Sequence, residues 1–299
     1  MKKPLYILLT VITAISCSKG DTFEQPPFSL ETSTKMAGEL VKGAPDYFGH
    51  IKNDKVTNMS QGVSLLELGC LNKQGYSVQL YLYKIVLGTA SLGVGVPPTD
   101  KKTARTSEMA NLMSSEVTVL GAVNGDDYSA SDKTPLGIVY RNGTAIKTTF
   151  SDSKGGFFAT LKDGTAIIAD QSAYPVYRTS LVNAIGTREQ ILVDGYPVAE
   201  NKPVAEARTF VAVSEDGMTV WTGVVDGVYF YYSNGISKTD LAQILLAADA
   251  KNAALLGGGA VTTLVRRDDL GEALFPVINS PSDNGIEKET ANALTIIEN

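Results

Sequence analysis

LLGGGAVTTL, residues 255–264, places three consecutive glycines between two apolar runs and contains no charged side chain. Glycine adopts positive φ at low cost and lets another group approach the main chain closely, but it loses more entropy on ordering than any other residue. Three glycines in a row therefore indicate a position where the backbone itself is needed. The apolar residues 253–256 before them and Val261–Val265 after them predict a strand, a turn and a second strand.

The segments that precede this turn predict a hairpin and a helix. RTFVAVSEDGMTVWTGVVDG (208–227) contains two β-rich runs joined by Glu-Asp-Gly, which is typical of a hairpin. Ser237 and Asp240 have capping-box spacing and mark the start of a helix. The apolar side chains on one face of that helix are Leu241, Ile244, Leu245 and Ala248.

Strand and turn signals also dominate the first half of the chain. VQLYLYKIVL (78–87) alternates over its first six positions, as a half-buried strand does, and Gly93–Pro98 breaks the pattern. Thr106 suits the N-cap of a short helix, which the strand-like run EVTVLGAV (116–123) follows. Hairpin-type dipeptides occur at 142–143, 163–164 and 194–195, and a terminal strand ends the chain. We therefore predict one compact α+β domain of mixed β-sheets with a few helices.

The amino terminus carries an export signal. Lys2 and Lys3 form a basic region, and Leu5–Ile15 is apolar but too short to span a bilayer. Small or apolar residues precede Cys17, as in a bacterial lipoprotein signal peptide, whose cysteine is lipidated and becomes the mature N-terminus. The alternative is a secretory signal that is cleaved nearby, beside an incidental cysteine.

These signals divide the chain into a signal peptide (1–17), a tether and N-terminal segment (18–57) and one domain (58–299). SKGDTFEQPP (18–27) is polar and contains a proline pair, as a tether does. We expect the protein in the bacterial cell envelope, periplasmic or at the cell surface, and in contact with a membrane only through the lipid on Cys17.

Composition excludes several classes of function. The chain has 26 Lys and Arg against 32 Asp and Glu, a net charge of −6, and no basic run in its mature part, so we predict no nucleic-acid partner. Cys70 lies in an apolar stretch and is interpreted as a buried thiol. His50 is the only histidine, which is too little for a zinc site built from His and Cys. We predict no metal, no cofactor, and chemistry based on carboxylates.

Five motifs occur in an order that resembles the phosphodiester glycosidase family, over about residues 58–297. Around a capped helix they are Asn-Gly after a strand (124–125), Arg-Thr opening a strand (208–209), Asp-Gly ending one (226–227), NAALLGGGAVTTLV (252–265) and PSDNGIEKETANAL (281–294). The resemblance implies hydrolysis of a sugar phosphodiester or of an α-linked N-acetylhexosamine glycan in a cleft.

The glycine motif is degenerate. In the family it typically reads Asn-Ala-hydrophobic-Asn-Leu-Asp-Gly-Gly-Gly-Ser. An ungapped alignment puts Gly257 at the Asp and Val261 at the Ser, whereas a one-residue gap puts Leu256 and Ala260 there. Val228 stands where bacterial relatives commonly have Arg. Loss of a participating carboxylate commonly costs several powers of ten in rate, so another acid would have to act.

The resemblance implies a set of site residues. Asp226 and Glu287 are the predicted catalytic acids, and the predicted ligand-binding residues are Asn124, Asp126, Arg208, Gly257, Gly258 and Gly259. Each side chain has a structural alternative as well. Asp226 also suits a turn, Arg208 a surface ion pair, Asn124 an Asx turn, and Asp126 an exposed acidic pair with Asp127.

Two functions follow from this site. One is an envelope-anchored hydrolase of the sugar linkages named above, and the other is a catalytically decayed protein that binds glycan or scaffolds partners. The aromatic run 229–232 suits sugar stacking at a cleft mouth, but we favour a strand with alternating core and surface positions.

Overall fold

The computed structural model describes residues 28–151 and 155–299. The predictions for residues 1–17, including lipidation of Cys17, and for the tether 18–27 concern residues outside the described ones. Most of the regular secondary structure in the described chain is β-strand, and the described residues also form four α-helices. The prediction of a compact α+β protein is confirmed, and the paired strands form antiparallel sheets.

The helices are α1 (Lys35–Gly43), α2 (Thr106–Met113), α3 (Tyr174–Tyr177) and α4 (Lys238–Ala247). The strands are β1 (Phe48–Ser60), β2 (Val63–Asn72), β3 (Ser77–Val86), β4 (Ala90–Gly95), β5 (Ala104–Arg105), β6 (Val119–Asn124), β7 (Val139–Arg141), β8 (Thr144–Lys147), β9 (Gly156–Leu161), β10 (Ala166–Asp170), β11 (Leu181–Thr187), β12 (Glu189–Val193), β13 (Tyr196–Pro197), β14 (Arg208–Val213), β15 (Thr219–Val225), β16 (Asn252–Leu255), β17 (Leu264–Arg266), β18 (Glu289–Thr290) and β19 (Ala293–Glu298).

An eight-stranded sheet, in the order β1-β2-β3-β15-β14-β16-β12-β13, forms the centre of the molecule. Its two faces are both buried, as β3 illustrates. Leu80 and Leu82 pack in a core with α1 and α4, whereas Tyr83 and Ile85 pack in a second core with the other sheets. The prediction that this strand is half-buried was therefore wrong. Tyr81 and Tyr83 occupy positions that the alternation assigns to the exposed face, but both pack in the second core.

Two smaller sheets cover the second face. One has five strands in the order β10-β9-β11-β7-β8, and the other has four in the order β17-β6-β19-β4. The segment before residue 58 belongs to the same body, since β1 pairs with β2 and α1 contacts α4. Among the described residues, no helix is long and apolar enough to cross a membrane.

Local signals gave several elements correctly. The hairpin β14–β15 and the turns at Asn142-Gly143, Asp163-Gly164 and Asp194-Gly195 are confirmed. The hydroxyl of Ser237 accepts from the backbone N–H of Asp240 and donates to its carboxylate at 2.6 Å, which confirms the capped start of α4.

Three local predictions were wrong. Gly93 and Gly95 do not break a strand but belong to β4. Thr106 is the first residue of α2, and Arg105 occupies the N-cap. After the glycines, Gly259–Val261 form a 3₁₀ turn, so the next strand begins at Leu264 rather than at residue 261. In the first case the pairing of β4 with β19 at the other end of the chain, rather than the local pattern, includes the glycines in the strand.

Candidate functional site

Asn124, the last residue of β6, holds the glycine turn in place. Its side-chain Nδ2 donates to the carbonyl of Gly257 at 2.6 Å. Its Oδ1 accepts from the hydroxyl of Thr209 at 2.7 Å and from the backbone N–H of Thr263 at 3.0 Å. The amide is fully buried and ties three distant segments together, so it positions the turn. A direct bond from Asn124 to a ligand stays a prediction.

The glycine loop, residues 257–259, lies against two neighbouring backbones. The N–H of Gly257 donates to the carbonyl of Gly125 at 2.8 Å, and the N–H of Gly259 donates to the carbonyl of Ala207 at 3.1 Å. Gly259 has a φ of 67°, which favours glycine. The loop thus needs bare backbone both for its turn and for close approach.

A carboxylate covers the start of this loop. A Cβ added to Gly257 would lie 3.2 Å from Oδ1 of Asp127 and 3.3 Å from Nδ2 of Asn124. Asp127 is partly exposed, and its Oδ2 lies 3.8 Å from Nε of Arg188. A carboxylate from residue 127 therefore lies beside position 257, the position of the family's acid in the ungapped alignment. Sequence reasoning had treated Asp127 as half of an exposed acidic pair.

Asp126 points the other way and is 2% exposed, so the expectation of an exposed pair was wrong for this residue. Its Oδ2 accepts from the N–H of Gly137 at 2.6 Å, and its own N–H donates to Oδ1 of Asn292 at 2.8 Å. Burial raises the pKa of Asp126 to about 7, and the charge of Asp127 adds to this effect. Asp126 therefore titrates near neutral pH.

Asp226 is a second buried carboxyl group, 1% exposed, at the end of β15. It accepts from Nδ2 of Asn279 at 2.8 Å, from the N–H of Ser280 at 2.9 Å and from the hydroxyl of Tyr232 at 3.2 Å. Burial raises the pKa of Asp226 to about 6 although these donors oppose the shift. Asn279 was missed in the sequence, where only its neighbouring Ser-Pro-Ser-Asp-Asn-Gly run gave a loop signal.

Asp226 and the glycine loop are neighbours. A Cβ on Gly227 would lie 2.9 Å from the nitrogen of Ala207, the residue whose carbonyl accepts from Gly259. Nδ2 of Asn279 also donates to the carbonyl of Thr262 at 3.1 Å, just after the loop. The predicted clustering of these two segments is therefore what the fold produces.

An aromatic loop, residues 228–234, opens a cleft above Asp226. The cleft has a volume of 510 Å³ and is lined by Tyr229, Phe230, Tyr231, Tyr232, Ser280, Asn284 and Gly285. Tyr232 and Ser280 both line the cleft and both bond to Asp226. The carboxylate therefore lies directly behind residues that line the cleft. Tyr231 is 92% exposed. The interpretation of 229–232 as an alternating strand was wrong, because the chain turns back at Ser233, whose carbonyl accepts from the N–H of Tyr229 at 2.8 Å.

Arg208 serves its own surroundings. The guanidinium lies 3.0 Å from a carboxylate oxygen of Glu206, and it donates to the carbonyl of Val204 at 3.0 Å and to that of Ile236 at 3.3 Å. Burial lowers its pKa, and Glu206 opposes this shift. The side chain therefore fastens the segment before β14 to the start of α4. Its role as an anion clamp stays a prediction.

Glu287 lies at the amino terminus of α2. Its carboxylate accepts from the backbone N–H of Ser107 at 2.9 Å and from the hydroxyl of the same residue at 2.6 Å. Helix amino termini carry unsatisfied N–H groups and a partial positive charge, which explains this contact. The side chains of residues 208, 226 and 287 were expected to converge. Their hydrogen bonds do not bring them together, because each side chain bonds to a different segment.

The other candidate groups are structural. Cys70 is a buried free thiol, and burial raises its pKa to about 12. Nδ1 of His50 bonds to the backbone of Ser29. Within residues 28–151 and 155–299, no three His, Cys, Asp or Glu side chains form a group that could hold a metal ion.

Comparisons with known proteins identify a family and several similar folds. The family model described as phosphodiester glycosidase matches residues 118–297, more than half of the chain. No curated protein matches the sequence. The fold is similar to the catalytic domain of zebrafish N-acetylglucosamine-1-phosphodiester α-N-acetylglucosaminidase, auto-inhibited by its pro-peptide, with a TM-score of 0.64, 16% identity, and 82% and 88% of the two chains covered.

Two bacterial structures have a similar fold. A hypothetical protein from Synechocystis has a TM-score of 0.57 and 14% identity, covering 82% of this chain and 64% of its own. A Burkholderia pseudomallei protein described as exported has a TM-score of 0.50 and 12% identity, covering 75% and 74%. The family model and the motifs that form the site together establish that the chain belongs to the phosphodiester glycosidase family.

Proposed function

We propose that this protein hydrolyses a sugar phosphodiester or an α-linked N-acetylhexosamine glycan at the glycine loop and the aromatic cleft. The observation that carries the proposal is the carboxylate of Asp127, which lies 3.2 Å from the Cβ position of Gly257. It supplies an acid beside the loop from another part of the chain. Glycoside hydrolysis commonly needs two carboxyl groups, and Asp226 is the second.

In this mechanism water attacks the anomeric carbon and the bond to the leaving oxygen breaks. Asp127 accepts the proton of the attacking water. Asp226, whose pKa is raised to about 6 by burial, acts as the acid when it is protonated. Its proton passes to the hydroxyl oxygen of Tyr232, 3.2 Å away, while that hydroxyl gives its own proton to the leaving oxygen, which reverses the bond that Tyr232 donates to the charged carboxylate. The tyrosine rings of the cleft offer apolar faces with polar tips, which suits sugar rings.

Release of N-acetylglucosamine from one of its phosphodiesters by the purified protein tests this function. We expect Asp127→Asn and Asp226→Asn each to lower kcat by about 100-fold or more. Asp132→Asn, at an exposed carboxylate with local hydrogen bonds, is the matched control and keeps full activity. A variant with Gly257→Asp and Val261→Ser restores the family's acid and hydroxyl in the ungapped alignment. Absence of turnover by both the wild type and this variant would reject the hydrolase.

A decayed glycan-binding protein is the second candidate. Two observations favour it. Arg208 forms an ion pair with Glu206, and Glu287 accepts from the amino terminus of α2, so both side chains already bind other groups of the protein. Binding of the same phosphodiester without turnover, abolished when Tyr229 and Tyr231 are replaced by alanine, would support this alternative.

We infer that the protein is exported and attached to the cell envelope through Cys17. The basic and apolar signal at residues 1–17 supports this location, and one structural relative is described as exported. Labelling with a radioactive fatty acid tests it. We expect lipid on the wild type and none on Cys17→Ser, and a Cys70→Ser control should be labelled like the wild type because that thiol is buried.

A further inference from the structure

A second pocket, of 530 Å³, lies apart from the aromatic cleft. It is lined by Val96, Pro97, Pro98, Thr99, Lys101, Lys102, Lys133, Thr134, Pro135, Val139, Ile146, Lys147 and Ala291, and we call it the lysine pocket. Four of these residues are lysines and none is acidic. The chain as a whole carries a net charge of −6. Carboxylates outside the lining act on two of the lysines: Glu108, Glu289 and Asp100 on Lys101, and Asp126 and Asp132 on Lys147.

Two of the four ammonium groups are committed to the protein. Lys101 lies 2.9 Å from a carboxylate oxygen of Glu108. Lys147 donates to the carbonyls of Leu136 at 3.2 Å and Gly137 at 3.1 Å, as well as to that of Thr149. These bonds hold Lys147 in the wall of the pocket. Among the described residues, no carboxylate oxygen lies within 4 Å of its ammonium group.

The other two ammonium groups face solvent at the rim. Within the part of the chain that the structure describes, neither Lys102 nor Lys133 forms an ion pair. Lys133 lies over the ring of Tyr128, with its Nζ 5.3 Å from the ring centroid. Both charges are therefore available to an anionic ligand without first breaking an internal salt bridge.

The remaining wall is apolar. Pro97, Pro98, Val139 and Ile146 supply it, and Ile146 is 54% exposed. Small-molecule sites are concave pockets of about 300–1,000 Å³ with apolar walls and a few polar groups, and this pocket has that form. A concave wall with rim charges suits a sugar ring that bears a negative group better than it suits a flat bilayer.

We propose that the lysine pocket binds an acidic carbohydrate, whose rings pack on the proline and isoleucine wall and whose carboxylate, phosphate or sulfate groups pair with Lys102 and Lys133. The pocket adjoins the functional site, because Ala291 lines it and the next residue, Asn292, bonds to Asp126. Binding here is separate from hydrolysis and holds whether or not the cleft is catalytic.

Calorimetric titration of the full chain with four hexasaccharides tests this site. The probes are hexagalacturonate, sulfated maltohexaose, phosphorylated maltohexaose and neutral maltohexaose, which distinguish the three anions from the sugar itself. We expect at least one acidic probe to bind at least tenfold more tightly than the neutral one. Its affinity should fall with added salt, because exposed charge pairs are screened.

Lys102→Gln and Lys133→Gln should each weaken that binding by about fivefold, and the double variant by about 25-fold. Lys35→Gln with Lys84→Gln, at lysines outside the pocket, is the matched control and should leave affinity unchanged. Unchanged unfolding temperatures would show that the variants are folded. Equal affinity for the neutral probe, or full affinity in the double variant, would overturn the proposal.

Discussion

At the scale of single residues, the site depends on three aspartates in different surroundings. Asp126 and Asp226 are buried with raised pKa values, whereas Asp127 is partly exposed over the glycine loop. Sequence reasoning noted the absence of an acid at residue 257 but could not find its replacement. Nothing in the spacing of residues 127 and 257 indicates contact, which arises only because the segments that follow β6 and β16 meet, where the N–H of Gly257 donates to the carbonyl of Gly125.

Exchanging the positions of this carboxylate tests the contact. Gly257→Asp alone should destabilise the protein by about 2 kcal/mol at pH 8, because its Cβ and second carboxylate meet Asp127. Gly257→Asp combined with Asp127→Gly should recover most of that loss, since Gly257 is not in the left-handed region. Urea unfolding measures the coupling, and a single variant as stable as the wild type would contradict it.

The buried carboxyl group of Asp126 predicts a pH dependence. Its pKa is about 7 in the folded state against about 3.9 when unfolded, so the folded state binds more protons between these values. The stabilisation is full below pH 4 and is lost as pH rises to 7, by up to about 4 kcal/mol. Asp226 acts in the same direction between pH 4 and 6.

We expect Asp126→Asn, which resembles the protonated form, to flatten this slope in urea unfolding between pH 4 and 7.5. Asp132→Asn serves as the control, since local hydrogen bonds lower the pKa of Asp132 to about 2, below this range. A variant that retains the wild-type slope would show that Asp126 is charged in the folded protein throughout.

Among the helices and strands, sequence patterns correctly predicted the features that depend on neighbouring residues. The capped start of α4 and the turn of β14–β15 follow from side chains a few residues apart. The aromatic loop did not, because the letters of residues 229–232 suit a strand equally well. What turns that segment is a contact with another element: the hydroxyl of Ser233 accepts from the N–H of Gln79 in β3 at 3.1 Å.

The contact of Glu287 with α2 distinguishes a structural role from a catalytic one. Glu287→Gln should lower stability by about 1 kcal/mol, because it removes a negative charge from a helix amino terminus, and should change kcat by less than about threefold. Ser107→Ala should cost a similar amount. The two losses should not add fully, because both affect the bond between the hydroxyl of Ser107 and Glu287, while Ser107→Ala keeps the bond from the backbone N–H. A 100-fold fall in kcat with unchanged stability would restore Glu287 as a catalytic residue.

At the scale of the whole molecule, the site lies where three sheets meet. The glycine loop follows β16 of the eight-stranded sheet, whereas Asn124 ends β6 of the four-stranded one and Asp126 follows it. The five-stranded sheet closes the back through β11. Strand order in the large sheet places β16 between β14 and β12. Such non-sequential pairing carries no signal in a single sequence. The fold class could therefore be predicted, but the junction of the sheets at which the site residues meet could not.

Gly186 in β11 tests whether this junction supports the site. A Cβ there would lie 2.2 Å from Oδ2 of Asp126 and 2.6 Å from Cα of Gly137, so Gly186→Ala must separate the five-stranded sheet from the end of β6. We expect a loss of about 3 kcal/mol in urea unfolding and a fall in kcat, because Asp127 moves with Asp126. Gly38→Ala in α1 is the control, since its Cβ would meet only the hydroxyl of Thr32, at 3.1 Å, and alanine favours a helix. If Gly186→Ala were as stable and active as that control, the packing of the five-stranded sheet against Asp126 would not support the site.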